Sequence, residues 1–193
     1  TGGTEFNVMV EAIEYAVENG ADIISISIGW WAPEASRKET FRSLFENALQ
    51  TYVVVAASAG SNRESLATYP APNNINSPAD CPPPYLHKDQ TLEGGVSAVI
   101  SVGGVDEENN IIGVSSQGPV TWQNTTYGDY AYNYPYNPDM GLIRPDIVAQ
   151  GASVKSLAHN SNTDHAIKGG TSMAAPAVAG VMALMLEKNP DLT

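Results

Sequence analysis

The sequence predicts an α/β domain: a largely parallel sheet with helices on both faces. Three observations carry this expectation. Apolar segments at helical spacing alternate along the chain with short β-branched runs. One such run, Tyr52-Val53-Val54-Val55-Ala56-Ala57, is apolar throughout, as a strand covered on both faces must be. The 193 residues, 42% hydrophobic and 16% charged, suffice for one core.

Residues 7–19 place Met9, Ala12, Ile13, Ala16 and Val17 on one helical face, with Gly20 positioned as the stop. Ala21 to Ile28 reads as a strand that alternates Ile with Ser and ends at Gly29. Thr40 to Leu49 carries Phe41, Leu44, Phe45, Ala48 and Leu49 on one stripe, a second helix before the apolar strand. Strand, helix and strand in that order form a βαβ unit, whose crossover is right-handed. Ser58 to Gly95 is irregular and rich in turn residues, including Asn73-Asn74 and Cys81-Pro82-Pro83-Pro84. Val96 to Val102 is a further strand, followed by the acidic turn Asp106 to Asn110 and a short return strand, Ile111 to Ser115. Thr121 to Gly141 reads as an ordered surface loop. Arg144 to Ala149 leads into one strand and Val154 to Leu157 into another. No composition break divides residues 1–193, so the chain is read as one domain.

The last segment carries the chemistry. Gly169-Gly170-Thr171-Ser172-Met173-Ala174-Ala175-Pro176 pairs a flexible turn with a hydroxyl and an apolar helix running to Leu186. The helix is expected to begin at or just after Ser172. Its free N–H groups and dipole favour negative charge beside the Ser172 hydroxyl, the setting that acyl transfer requires. The same placement suits a plain N-cap.

Bulk properties narrow the classes. A net charge of −12 argues against nucleic acid or an anionic membrane surface as partner, and no apolar run approaches a membrane span. The single cysteine, Cys81, excludes an intrachain disulfide framework and a Cys-rich zinc site. No cofactor is expected. The Asp106–Asn110 turn offers oxygen ligands of the kind calcium takes, but its letters do not fit an EF-hand loop and it reads as a solvated turn. Asn124-Thr125-Thr126 is a glycosylation sequon by letter. The aromatic stretch Trp122 to Tyr136 either lines a substrate groove or packs on itself.

Gly170 to Pro176 resembles the nucleophile motif of the subtilisin-like serine peptidases, Gly-Thr-Ser-Met-Ala-x-Pro. Other segments resemble that family's landmarks in the family's order. Asp22 to Gly29 is similar to its strand beside the bound peptide, and Ser115-Ser116-Gln117-Gly118-Pro119 to its Ser-Ser-x-Gly-Pro turn. Arg144 to Gly151 resembles its Pro-Asp-Ile-x-Ala-Pro-Gly, with Gln150 in place of Pro. The resemblance implies a serine endopeptidase in which Ser172 attacks the scissile carbonyl of a polypeptide. It implies that Ser27, Ile28 and Gly29 pair with substrate backbone, and that these and Ser58, Ala59 and Gly60 frame the side-chain pocket. The family's oxyanion asparagine follows Ala-Gly, whereas this chain reads Ala59-Gly60-Ser61-Asn62; Asn62 is the expected donor and Ser61 the alternative. The resemblance also implies a protein that works outside the cytoplasm.

A serine nucleophile needs an oriented base. The family's Asp and His motifs are absent from this sequence, and none of His87, His159 and His165 stands in the family's His-Gly-Thr context. All three read as loop or surface histidines. The expectation is therefore a catalytic domain incomplete at both ends. Alone it is inactive and prone to self-association, and its partner is the complementary N-terminal part that brings Asp and His. Two rivals stand beside it. One is a catalytically dead subtilase-like module that binds peptides. The other, an α/β-hydrolase, requires glycine where Ala174 stands.

Overall fold

The computed structural model describes residues 5–31, 33–65, 67–88, 90, 94–131 and 141–192. Helix α1 spans Phe6–Glu18 and buries Met9 and Ile13, the centre of the expected stripe. It closes in a Schellman motif. Gly20, at φ 76°, donates to Val17 O at 3.1 Å, and Ala21 donates to Ala16 O at 3.0 Å. Strand β1 follows at Ile23–Ile26, shorter than the stretch expected from its Ile/Ser alternation.

Helix α2 spans Ala35–Gln50, starting five residues before the stripe that announced it. No Ser, Thr, Asp or Asn marks that start: Glu34 occupies the N-cap without a side-chain bond. Phe41 and Phe45 are fully buried, and truncating either to Ala would cost about 3–5 kcal/mol. The helix ends in a second Schellman motif with Tyr52 rather than glycine in the left-handed position, at φ 62°. Tyr52 donates to Leu49 O and Val53 to Ala48 O. That wrap uses the first residues of the expected strand, so β2 begins at Val54 and ends at Ser58.

Strands β3 (Val99–Val105) and β4 (Ile147–Gln150) complete a four-stranded parallel sheet in the order β1-β2-β3-β4. Its two faces bury separate clusters. Val55, Ala57 and Val99 join Met9, Ile13, Phe41 and Phe45 beneath α1 and α2. Ala56 and Val102, on the opposite face, meet Ala174, Ala175 and Val178 of helix α3, which spans Thr171–Lys188. Helices thus cover both faces, as a doubly buried β2 requires.

Two expectations are corrected. Ile111 to Ser115 forms no strand; only Ile111 bridges back to Val105. The preceding turn is too tight to send a strand back along β3. Asn109 is left-handed at φ 64°, and Asp106 Oδ1 accepts from the N–H groups of Glu108 and Asn110. Second, β5 (Val154–Leu157) pairs antiparallel with β6 (His165–Lys168) in a separate hairpin. His165 is thus a surface histidine, as expected, but it lies on a strand rather than in a loop. His-Ala-Ile-Lys has little alternation to announce a strand.

A buried cation pins the surface loop to α2. Arg42, 0% exposed, donates to Glu46 and Asp129 and lies against the rings of Trp122 and Tyr127. Trp122 and Tyr130 are buried and Tyr127 half-buried, so the described aromatic side chains of the stretch pack on the domain; 132–140 lie outside the described residues.

Candidate active site

The site gathers at the C-terminal ends of β1 and β2, against the start of α3. Such an edge is where open parallel sheets present free strand ends to ligands. A pocket of about 220 Å³ opens there, lined by Ser27, Ile28 and Gly29 after β1, by Ser58 and Gly60 at the end of β2, and by Ser172. Trp31, Ser61, Asn62, Asn76 and Thr171 also border it. Ala59 does not. It is fully buried in the core under α1 and α2, its N–H donating to Val102 O and its carbonyl accepting from Asn76.

Ser172 occupies the second position of α3 and is half-buried. Gly170 turns the chain into the helix at φ 130°. Thr171, fully buried, accepts the Gly60 N–H on its hydroxyl at 3.1 Å, tying the helix start to the end of β2. Pro176 sits inside the helix and has no N–H for the carbonyl four residues back, which is that of Ser172. That carbonyl instead accepts from Ser27 Oγ at 2.9 Å, while Ser172 Oγ donates to Ser27 O at 3.1 Å. The proline therefore frees an acceptor through which β1 holds the nucleophile turn.

Two glycines in the pocket walls permit close approach. A Cβ on Gly29 would lie 2.6 Å from Ser77 O, and one on Gly60 would lie 2.8 Å from Asn76 Cγ. Asn76 thus fills the space between the two walls. It had no marker in the sequence beyond the Asn-rich turn around it. Its Oδ1 accepts from Asn62 Nδ2, which also donates to Asn74 O at 3.4 Å. Asn74 Nδ2 returns a bond to Asn62 O at 3.0 Å. The expected oxyanion donor therefore lies at the pocket, 4% exposed, with both amide hydrogens engaged in a three-asparagine network.

Among the described residues, no His, Asp or Glu borders the pocket. His159 and His165 are exposed in and beside the β5–β6 hairpin, and His87 lies in the Pro-rich loop. Among the described residues, no group of three or more His, Cys, Asp or Glu is placed to hold a metal ion. No described helix is long and apolar enough to cross a membrane. Burial pushes the Cys81 thiol well above its ordinary value, which makes it a core residue rather than a nucleophile.

The Subtilase family model matches residues 1–193, the whole chain. The chain belongs to the subtilase family. Subtilisin DY of Bacillus licheniformis is 30% identical over 193 residues, covering 100% of this chain and 53% of the relative. The mouse membrane-bound transcription factor site-1 protease is 28% identical over 177 residues, 92% of this chain and 13% of that protein. The chain thus spans about half, or less, of the length of the curated relatives it matches. A cold adapted subtilisin-like serine proteinase superposes with a TM-score of 0.67 at 20% identity, over 100% of this chain and 52% of that one. A PatG macrocyclase in complex with peptide gives 0.63 at 17% identity, over 95% of this chain and 42% of that one. At those identities the likeness shows the fold alone, and the fold is the subtilase α/β sheet.

Proposed function

We propose that this subtilase chain is the nucleophile-bearing part of a serine endopeptidase catalytic domain. Ser172 attacks the scissile carbonyl and carries the acyl group. Its placement carries the reading: a hydroxyl at the N-terminus of an apolar helix, facing a pocket, with its own N–H unpaired by the helix. The developing oxyanion is met by that N–H and by a side chain from the Ser61–Asn62 turn. Substrate backbone runs along Ser27, Ile28 and Gly29, and a substrate side chain enters between them and Ser58 and Gly60. The general base and its orienting carboxylate come from residues outside this sequence, a reading supported by a pocket that no His, Asp or Glu among the described residues borders. The edge of β1, unpaired among the described residues, and the exposed Val181, Leu184 and Met185 of α3 support a complementary segment that covers them. Action outside the cytoplasm rests on the family resemblance alone.

The test compares the isolated 193 residues with the full-length protein. Casein hydrolysis should be negligible for the former and present for the latter. Robust Ser172-dependent hydrolysis by the isolated chain would contradict the reading.

A second reading, an inactive module that binds peptides, draws on one observation: Ser172 Oγ donates to the Ser27 carbonyl rather than to a base. A fluorophosphonate probe separates the two, because only an activated serine is phosphonylated at a useful rate.

A further inference from the structure

Residues 59–62 are pinned group by group, with one exception. Ala59 N–H bonds Val102 O and Ala59 O accepts from Asn76. Gly60 N–H bonds Thr171 Oγ1 at 3.1 Å and Gly60 O accepts from Ser116. Asn62 N–H bonds Ser116 Oγ at 3.0 Å, Asn62 O accepts from Asn74, and its amide is engaged with Asn74 and Asn76. Ser61 alone makes no hydrogen bond with a described residue, and it is exposed at the lip of the pocket.

Its hydroxyl faces a particular space. At the point where a Cβ on Gly170 would stand, the described atoms within 4 Å, apart from those of the adjoining Gly169 and Thr171, are Ser61 Oγ at 3.3 Å and Ser172 N at 3.9 Å. Two groups able to donate thus flank one vacant volume beside the nucleophile. Glycine at 170 keeps it vacant, since a side chain there would meet the Ser61 hydroxyl and would also have to adopt φ 130°. An oxyanion hole has this form: preorganised donors around the position the oxygen will take, with no competing partner to give up.

We propose that Ser61, not Asn62, supplies the side-chain donor to the oxyanion, and that Asn62 braces the turn that presents it. This rests on the reading of Ser172 as nucleophile. During attack the substrate carbonyl oxygen gains negative charge and accepts from Ser61 Oγ–H and Ser172 N–H. Asn62 keeps its bonds to Asn74 and Asn76 throughout.

The test uses the full-length protein and the second-order rate of labelling by a fluorophosphonate, whose phosphoryl oxygen enters the same space. Ser61→Ala, a surface change, should slow labelling about 10²–10³-fold with the thermal midpoint unchanged, while Ser61→Thr, which keeps the hydroxyl, should stay within about tenfold. Turnover of casein should fall through kcat with KM little changed. Labelling of Ser61→Ala at the unaltered rate, with Ser172→Ala unlabelled, would overturn the assignment and leave the nucleophile standing. Labelling that persists in Ser172→Ala would overturn the parent reading instead.

Discussion

Replacing Asn62 with alanine separates a brace from a catalytic donor. The side chain is 4% exposed and donates to Asn76 Oδ1 and to Asn74 O, the latter at 3.4 Å. Truncation leaves both acceptors without this partner. A buried acceptor left unpaired costs about 1–3 kcal/mol. The Asn74 bond is long, so little is lost there, and Asn76 borders a pocket that water can enter. The two together should destabilise the protein by about 2 kcal/mol. Urea unfolding in a Ser172→Ala background measures this without self-digestion. Labelling by the fluorophosphonate, measured with Ser172 intact, should slow by less than about tenfold, as the turn relaxes but keeps its Ser61 hydroxyl. A 10²–10³-fold loss of rate with unchanged stability would refute the reasoning and return the oxyanion to Asn62.

Ser27→Ala removes the donor to the Ser172 carbonyl and should slow labelling about tenfold at nearly constant stability, since Ser27 is exposed. In a Pro176→Ala background the same change should cost less, because residue 176 then offers its own N–H to that carbonyl; equal losses in both backgrounds would contradict the coupling. Tyr130, buried with its hydroxyl donating to Gly95 O at 2.7 Å, has its pKa raised to about 12, first by desolvation and then by Asp129. The raised value favours the protonated form in the folded state. The stability it contributes is therefore complete below about pH 10 and lost as pH climbs toward 12. Tyr130→Phe should remove that alkaline loss, read by denaturation at pH 9 and pH 11.

Much of the fold was legible because its signals are local. The Met9–Val17 stripe, the Gly20 stop and the uniform apolarity of Val53 to Ala57 each follow from residues that are neighbours in sequence. The start of α2 was not, because Glu34 caps nothing. Nor was the late start of β2, where Tyr52 takes a backbone conformation more usual for glycine. The β6 strand exists through its pairing with β5, a partner that His-Ala-Ile-Lys does not announce. At the site, Ser172, Ser27 and Gly60 stood out through their motifs. Asn76 did not, since its place between Gly29 and Gly60 comes from a chain path of some fifteen residues with no periodicity. The Ser61–Asn62 choice likewise turns on which side chain the Asn74–Asn76 pair captures, a matter of packing that letters do not carry.

The central claim is that Ser172 is a nucleophile with a working oxyanion site. Its most direct test is mass-spectrometric mapping of the full-length protein after fluorophosphonate treatment. One phosphonyl adduct is expected, on the peptide containing Ser172, and none in Ser172→Ala. An unmodified Ser172 in folded full-length protein, or an adduct mapped to another residue, would contradict it.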